Sequence, residues 1–131
     1  MQLPKRSDLV YPELSYRIVG ILFEVHNQIG SGHHEKVYQR ALSVGFQKHG
    51  LVFKEQVYTP LMFENKNVGS YFLDFLVDGK VVLEIKKGDR FSRSNIEQVM
   101  TYLKTYNLKL GILANFGQHE LKYKRIVNFD S

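Results

Sequence analysis

The segment Lys109–Asn115, with the sequence KLGILAN, is a short and almost wholly apolar run. A strand with one face in water alternates apolar and polar residues, whereas a run like this is expected for a strand buried on both faces. Such a strand needs structure on both sides of its sheet. The segment therefore predicts an α/β architecture in which a central sheet is flanked by helices.

Two helices are predicted before the first strand. Residues 12–29 carry apolar side chains at helical spacing, with Pro12 suited to the first turn and Gly30 to the end. A second helix is predicted over about 34–49, with Gly50 as its stop. The apolar face of the first helix would be formed by Leu14, Ile18, Ile21, Leu22, Val25 and Ile29.

Three strands are predicted after the second helix. Proline donates no hydrogen bond to a strand ladder, so Pro60 should interrupt the first strand. Glu64–Asn67 has the composition of a turn, and Asp78-Gly79 is a hairpin signal. The predicted strands are Leu51–Tyr58, with Leu61–Phe63 as its continuation, Val68–Val77 and Lys80–Lys86.

One more helix and two more strands complete the prediction. Ser92 or Ser94 suits the N-cap of a helix that reaches about Tyr106. The apolar run described above follows it, and Leu121–Val127 would be a last strand at the edge of the sheet. The predicted order is α-α-β-β-β-α-β-(β), in which the sheet should be mixed.

Length, composition and charge limit the class of protein. The 131 residues suit a single domain over 1–131, with residues 1–11 as a loosely ordered N-terminal extension. The absence of cysteine excludes a disulfide framework and a thiolate zinc site. No apolar stretch approaches the ~20 residues that span a bilayer, so we expect a cytoplasmic protein without membrane contact. The net charge of +5 favours nucleic acid as a partner, although many basic proteins bind none.

Charged residues stand alone within the predicted hairpin. Because alternate residues of a strand share a face, Glu84 and Lys86 point the same way while their neighbours pack into the core. Asp74 is similarly isolated among aromatic and aliphatic residues, and a carboxylate in such surroundings needs a partner. A lone Glu-x-Lys is usually a solvated strand face, but one with an aspartate ten residues upstream across a hairpin is much rarer. The three residues are therefore a candidate site.

The residue types indicate a metal-assisted reaction. Carboxylates such as Asp74 and Glu84, converging at a sheet edge, suit Mg²⁺ or Mn²⁺, hard cations that prefer oxygen ligands. The carbonyl of Ile85 would supply one more oxygen. Such an ion polarises a phosphodiester and lowers the pKa of a bound water. Lys86 would orient that water or stabilise charge on the phosphate.

The site requires a particular register in the hairpin. A two-residue loop at Asp78-Gly79 would set Asp74 and Glu84 on opposite faces of the sheet. An odd loop, or a bulge, pairs Val77 with Val81 and brings the two carboxylates to the same face. We therefore predict an odd loop at this turn.

Several short segments resemble, in the same order, the GxxExxY family of small proteins, which is placed in the PD-(D/E)XK nuclease superfamily. The signature itself is matched by Gly32–Tyr38. One departure is Leu73, which stands where the proline that gives the superfamily its name would precede the aspartate; that proline is not needed chemically. The other matching segments, within residues 20–128, are Gln39–Leu42, Tyr71–Gly88, Ile96–Tyr102, Leu110–Gly117 and Leu121–Val127.

The resemblance implies roles for individual residues. Asp74 and Glu84 correspond to the metal-binding carboxylates and Lys86 to the catalytic lysine. Glu35 corresponds to an acidic residue that the first core helix points toward the metal, often through water. It could instead be a first-turn residue favoured by the helix dipole.

Gln98 and Tyr102 resemble the Q-x-x-x-Y motif of the RecB-like branch, in which both residues lie near the active site. Their spacing of four puts them on one helical face, but Tyr102 could equally be a core residue and Gln98 a polar anchor. Tyr38 is better explained by packing. The neighbouring His33 and His34 could meet a metal or a phosphate, although adjacent histidines usually belong to loops.

The resemblance thus implies a Mg²⁺-dependent nuclease that hydrolyses phosphodiesters, with DNA favoured as substrate and a homodimer as an option. Two alternatives stay open: a nucleic-acid-binding or regulatory module that keeps the fold without turnover, and a protein-interaction subunit. Six basic residues suit either a phosphate-contacting surface or a solvated face. They are Lys87, Arg90, Arg93, Lys122, Lys124 and Arg125.

Overall fold

The computed structural model describes residues 10–130, so most of the predicted N-terminal extension, 1–11, lies outside the described residues. Eight helices and strands follow one another in the predicted order. They are α1 (Pro12–Ile29), α2 (Glu35–Lys48), β1 (Phe53–Phe63), β2 (Lys66–Val77), β3 (Val81–Lys87), α3 (Arg93–Thr105), β4 (Leu110–Phe116) and β5 (Leu121–Val127).

The five strands form one mixed sheet in the order β1-β2-β3-β4-β5. The crossover through α3 makes β3 and β4 parallel, and every other neighbouring pair is antiparallel. Strand β5 lies at one edge, as predicted. The α/β prediction, with a mixed sheet flanked by helices, is confirmed.

Helices cover both faces of the sheet. Helices α1 and α2 pack on one face, where Val81, Leu83 and Ile85 of β3 belong to the same buried cluster as Ile18. Helix α3 packs on the other face, against Val82 and its neighbours. Strand β4 is buried along its whole length, as the apolar run predicts. Residues at even positions of β3 therefore share the α3 face, which is the face of Glu84 and Lys86.

Local signals explain where the helices begin. Pro12 occupies the first turn of α1, where its missing N–H has no helical partner to lose. Ser92 is the N-cap of α3, since its hydroxyl accepts a hydrogen bond from the Asn95 N–H at 3.0 Å. Within residues 10–130, the helices are too short or too polar to cross a bilayer.

The predicted interruption of the first strand at Pro60 is wrong. Strand β1 runs through Pro60, which pairs with Ser70 of β2, and the register shifts only between Leu61 and Met62. Because β1 is the outermost strand, a proline can lie there with its donor-free nitrogen facing away from the ladder. The turn is also shorter than predicted, since β2 already begins at Lys66.

Strands β1 and β2 extend well beyond the rest of the sheet. Only Phe75–Val77 of β2 pair with β3, whereas β2 pairs with β1 as far as Lys66. We call residues 57–73 of this hairpin the arm. Leu73 packs with the α3 cluster, while Phe75 packs with the α1 and α2 cluster, so the hairpin changes face at Asp74. The candidate site lies at this point of divergence.

Two helical glycines provide a test of the packing of α1 on α2. A Cβ added at Gly45 would lie 2.8 Å from Cγ2 of the buried Ile21, whereas one added at Gly20 would meet nothing within 4 Å. Alanine favours a helix over glycine by about 1 kcal/mol at either position. We therefore expect Gly20→Ala to stabilise the protein by up to about 1 kcal/mol and Gly45→Ala to destabilise it by ~1–3 kcal/mol. Urea denaturation measures both; stabilisation by Gly45→Ala would contradict this helix contact.

Candidate active site

The turn between β2 and β3 has the odd length that the site requires. Val77 pairs with Val81, so three residues, 78–80, form the connection. Asp78 and Gly79 both have positive φ, and the Lys80 N–H donates to the Val77 carbonyl at 3.0 Å. This is a two-residue turn followed by one extra residue. The predicted odd loop is confirmed, and it brings Asp74 opposite Glu84.

Each carboxylate accepts a hydrogen bond from the opposite strand. The Asp74 N–H donates to Oε1 of Glu84 at 2.7 Å, and the Ile85 N–H donates to Oδ2 of Asp74 at 2.9 Å. Regular pairing of β2 with β3 ends one step earlier, at Phe75 and Leu83. The two side chains thus fill the opening between the diverging strands and satisfy backbone donors that have left the ladder.

The two acids are electrostatically coupled. Burial, and next the charge of Asp74, raise the pKa of Glu84 to about 8. The pKa of Asp74 is also raised, chiefly by burial, and the Ile85 N–H and Lys86 oppose that shift. Glu84 is 2% exposed, so water screens this repulsion little. A positive charge bound next to the pair would therefore stabilise the ionised form of both acids.

Lys86 and Glu35 lie near this pair. The charge of Lys86 lowers the pKa of both acids, whereas the charge of Glu35 raises both. Glu35 is in the first turn of α2, and its Oε1 accepts a hydrogen bond from the Lys87 N–H at 3.2 Å. The structure thus brings Glu35 to the end of β3, on the same side of the molecule as the carboxylate pair.

Helix α3 contributes Tyr102, which is buried and packs edge-to-face against Tyr71 with ring centroids 6.0 Å apart. Burial raises the pKa of Tyr102, and the charges of Glu84 and Asp74 raise it further. Gln98, one turn earlier, lines a cavity of about 390 Å³ between the arm and α3, together with Leu61. Tyr102 is thus both a core residue and a neighbour of the acids, while Gln98 faces the adjacent cavity.

The remaining candidates have structural partners. Tyr38 stacks on Phe116 with centroids 4.0 Å apart, and its hydroxyl donates to the Gly30 carbonyl at 2.7 Å, which fits the packing role. Nε2 of His33 lies 2.7 Å from the carbonyl oxygen of Ile29, at the end of α1. Arg125, one of the six basic residues, donates through its guanidinium to the Val10 carbonyl and to Ser15 of α1.

Two polar residues at the site escaped the sequence analysis. Gln56 of β1 lies opposite Asp74 and approaches its Oδ1 at 3.4 Å, with a left-handed φ of 49° that is unusual for a strand residue. Asn115 of β4 is in register with Lys86, and its amide donates to the Arg90 carbonyl at 2.6 Å. Among residues 10–130, the buried Oδ1 of Asn115 has no hydrogen-bond partner. A polar residue ending an apolar strand is the signal that could have identified Asn115.

The oxygen donors at this site suit Mg²⁺, an ion that the protein need not surround completely. Among residues 10–130, no three His, Cys, Asp or Glu side chains converge as a ready metal cluster. Mg²⁺ usually takes one or two carboxylates and completes its shell with water or phosphate oxygens. Asp74 and Glu84 can supply two such ligands. Because the N–H and C=O of one strand residue point the same way, the Ile85 carbonyl also faces Asp74.

The raised pKa of Glu84 predicts a pH-dependent stability in metal-free buffer. Folded Glu84 keeps its proton from the ordinary pKa of 4.5 up to about 8, so the free energy of unfolding should fall as pH rises through that window. Glu84→Gln still accepts the Asp74 hydrogen bond. We expect this variant to match the wild type near pH 5 and to exceed it by on the order of 2 kcal/mol above pH 8.

Urea denaturation at several pH values, with EDTA present, measures this difference. The control is Glu55→Gln, which neutralises an exposed carboxylate on β1 and should leave the pH profile unchanged. Parallel pH profiles for the wild type and Glu84→Gln would show that Glu84 is ionised in the folded protein.

Comparison with known proteins gives a family match and a similar solved structure. Residues 12–126 match the family model of the PD-(D/E)XK nuclease superfamily, and no curated protein matches the chain. Among solved structures, the crystal structure of SSO0001 is similar, with a TM-score of 0.51 and 16% sequence identity over 94% of this chain. The alignment covers 61% of that protein's chain, and at this identity the likeness concerns the fold alone.

The matched region contains all three helices and all but the last residue of the sheet, including both strands that carry the paired carboxylates. The order of elements and the mixed sheet flanked by helices are features of this chain's own structure that agree with the match. The chain therefore belongs to the PD-(D/E)XK nuclease superfamily.

Proposed function

We propose that this protein is a metal-dependent nuclease that hydrolyses nucleic-acid phosphodiesters, with DNA as the favoured substrate. The observation that carries the proposal is the meeting of Asp74 and Glu84 at the point where β2 leaves β3. Their mutual repulsion and burial favour a bound cation, and Lys86 lies on the same face. We also assign the chain to the GxxExxY family by its signature segment, Gly32–Tyr38, and to the RecB-like branch by Gln98 and Tyr102.

Asp74 and Glu84 would hold Mg²⁺ or Mn²⁺, with the Ile85 carbonyl as a further oxygen ligand. The bound ion supplies Lewis acidity toward the phosphate and toward a coordinated water. The protein's own contribution is to present two carboxylates in a partly dry opening, where electrostatic interactions are stronger than in bulk water. Metal binding would also relieve the repulsion between the two acids.

Lys86 would act on the substrate side of the site. The charge of its ammonium group lowers the pKa of both acids, so it is near enough to orient the attacking water or to stabilise charge on the phosphate. Glu35 would approach the ion through water, since its side chain already lies at the end of β3. Gln98 and Tyr102 would border the site from α3 and support its shape.

Metal binding can be tested without any substrate. Millimolar Mg²⁺ or Mn²⁺ should raise the melting temperature of the wild type, because an ion that binds only the folded protein stabilises it by mass action. Asp74→Asn should remove most of this increase, since it deletes one ligand charge. Thermal unfolding with and without EDTA measures the shift. Asp78→Asn, a matched change at an exposed aspartate in the adjacent turn, should keep the full increase.

Cleavage tests the catalytic role of Lys86. The panel consists of labelled DNA and RNA in single-stranded, duplex and branched form, and cleavage of any member should require Mg²⁺ or Mn²⁺. Lys86→Ala should lower the cleavage rate by about 100-fold or more, the scale of one charge-stabilising group. Lys87→Ala is the matched control, because neighbouring strand residues point to opposite faces. It should keep the turnover number and change at most the apparent substrate affinity.

Equal loss of activity in both lysine variants would show that only general basicity matters. Cleavage by Lys86→Ala and Asp74→Asn at the wild-type rate, or no cleavage of any substrate by the wild type, would contradict the enzymatic proposal. Metal-independent, salt-sensitive binding of nucleic acid would then identify the chain as a binding module.

A further inference from the structure

One face of the arm is covered by none of the helices that residues 10–130 form. Its inner face packs toward α3 through Val57, Leu73 and Tyr71. Because side chains alternate along a strand, the other face points away from α3, and we call it the outer face of the arm. Its large apolar side chains are Tyr58 (47% exposed), Met62 (54%) and Phe72 (54%), continued at the hairpin tip by Phe63 (66%) and Val68 (59%).

Two aromatic rings on this face are held in place. Tyr58 and Phe72 are cross-strand partners, and their rings pack edge-to-face with centroids 5.7 Å apart. The Asn67 amide donates to the Tyr58 hydroxyl at 2.8 Å, which fixes that ring further. Rings that are half exposed yet constrained lose little conformational entropy when a flat partner stacks on them.

The ring pair lies close to the candidate active site. Tyr58 and Phe72 are each two residues from Gln56 and Asp74 along their strands, a separation of about 7 Å at the usual rise per residue. A strand of nucleic acid with a phosphodiester at Asp74 would therefore carry its neighbouring bases past these rings.

We propose that the outer face of the arm is a stacking platform for unpaired bases, so that the substrate of the adjacent site is single-stranded nucleic acid or a single-stranded segment within a larger one. This inference rests on the proposed nuclease function. Stacking on an aromatic side chain contributes about 1–3 kcal/mol per base and tolerates any base. The platform would therefore prefer single strands to duplexes without sequence specificity.

The charge of the arm favours this partner over a duplex. Between residues 57 and 73 the charged side chains are Glu64 and Lys66, both at the tip. A duplex hides its bases and presents phosphates, which are recognised by positive charge. A neutral aromatic face offers a duplex little, whereas it matches the exposed flat surfaces of unpaired bases.

The edge of the arm also disfavours a protein strand as the occupant. A peptide or a second copy that extended the sheet would have to pair with β1. Pro60 lies in the middle of that edge and has no N–H to donate, which is a common way to prevent edge-to-edge association. The free face of the arm is therefore better suited to stacking than to strand addition.

The test compares binding of three probes under conditions that prevent cleavage. The probes are a fluorescent single-stranded oligonucleotide, an abasic strand with the same number of phosphates, and the corresponding duplex, each measured by anisotropy with the Asp74→Asn protein in EDTA. We expect the abasic strand to bind at least about tenfold more weakly than the normal strand. Adding Tyr58→Leu and Phe72→Leu should weaken binding of the normal strand about tenfold or more and leave the abasic strand and the duplex nearly unchanged.

Tyr16→Leu is the matched control, because Tyr16 is an 81% exposed aromatic on α1 and should not affect any probe. The comparison of normal and abasic strands needs no change to the arm, so it remains decisive even if the double leucine variant unfolds. Equal binding of normal and abasic strands would overturn the proposal. So would an arm-dependent dimer, detected by sedimentation velocity as a wild-type dimer that the leucine variant abolishes.

The outcome for the nuclease function is read separately. Single-strand stacking by a wild-type protein that cleaves nothing would contradict the proposed function and leave the platform supported. Cleavage by the wild type that is unchanged, on single strands, in the double leucine variant would contradict the platform and leave the nuclease supported.

Discussion

The structure of this site depends on two hydrogen bonds between strands that are separating. Asp74 and Glu84 accept the N–H groups of Ile85 and Asp74, just where regular pairing of β2 with β3 stops. Two backbone donors at a buried opening would otherwise be unsatisfied, at a cost of ~1–3 kcal/mol each. The carboxylates thus stabilise the divergence of the strands, and the divergence keeps the carboxylates together in a space with limited water.

This arrangement satisfies the backbone hydrogen bonds but disfavours the ionised forms of Asp74 and Glu84. Burial and mutual repulsion raise the pKa of both acids, and Lys86 compensates only in part. A proton on Glu84 relieves the repulsion near neutral pH, and a divalent ion would relieve it more completely. Functional sites commonly carry such local instability, which the surrounding core tolerates. Here the supporting core consists of β3 and β4, both buried between the helices.

The same divergence creates the arm. Once β2 has left β3, it continues with β1 alone, and one face of this hairpin packs on α3 through contacts such as Tyr71 with Tyr102. The opposite face stays exposed, with Tyr58 and Phe72 next to the carboxylate pair. The carboxylate pair and its aromatic neighbours therefore arise from one feature of the sheet, which explains why they lie next to each other.

Local pattern determined much of this protein. Helical spacing predicts α1 to α3, the apolar run predicts β4, and period-two alternation predicts that Glu84 and Lys86 share a face. The odd loop after Val77 could be predicted because Asp74 and Glu84 lie on the same face only if the loop has an odd length. Only the tertiary structure decided that Gln56 and Asn115 join them, because strand order brings both residues to the site. It also decided that Pro60 is tolerated, because β1 is an edge strand. Those facts depend on packing between segments far apart in the chain, which local propensity does not encode.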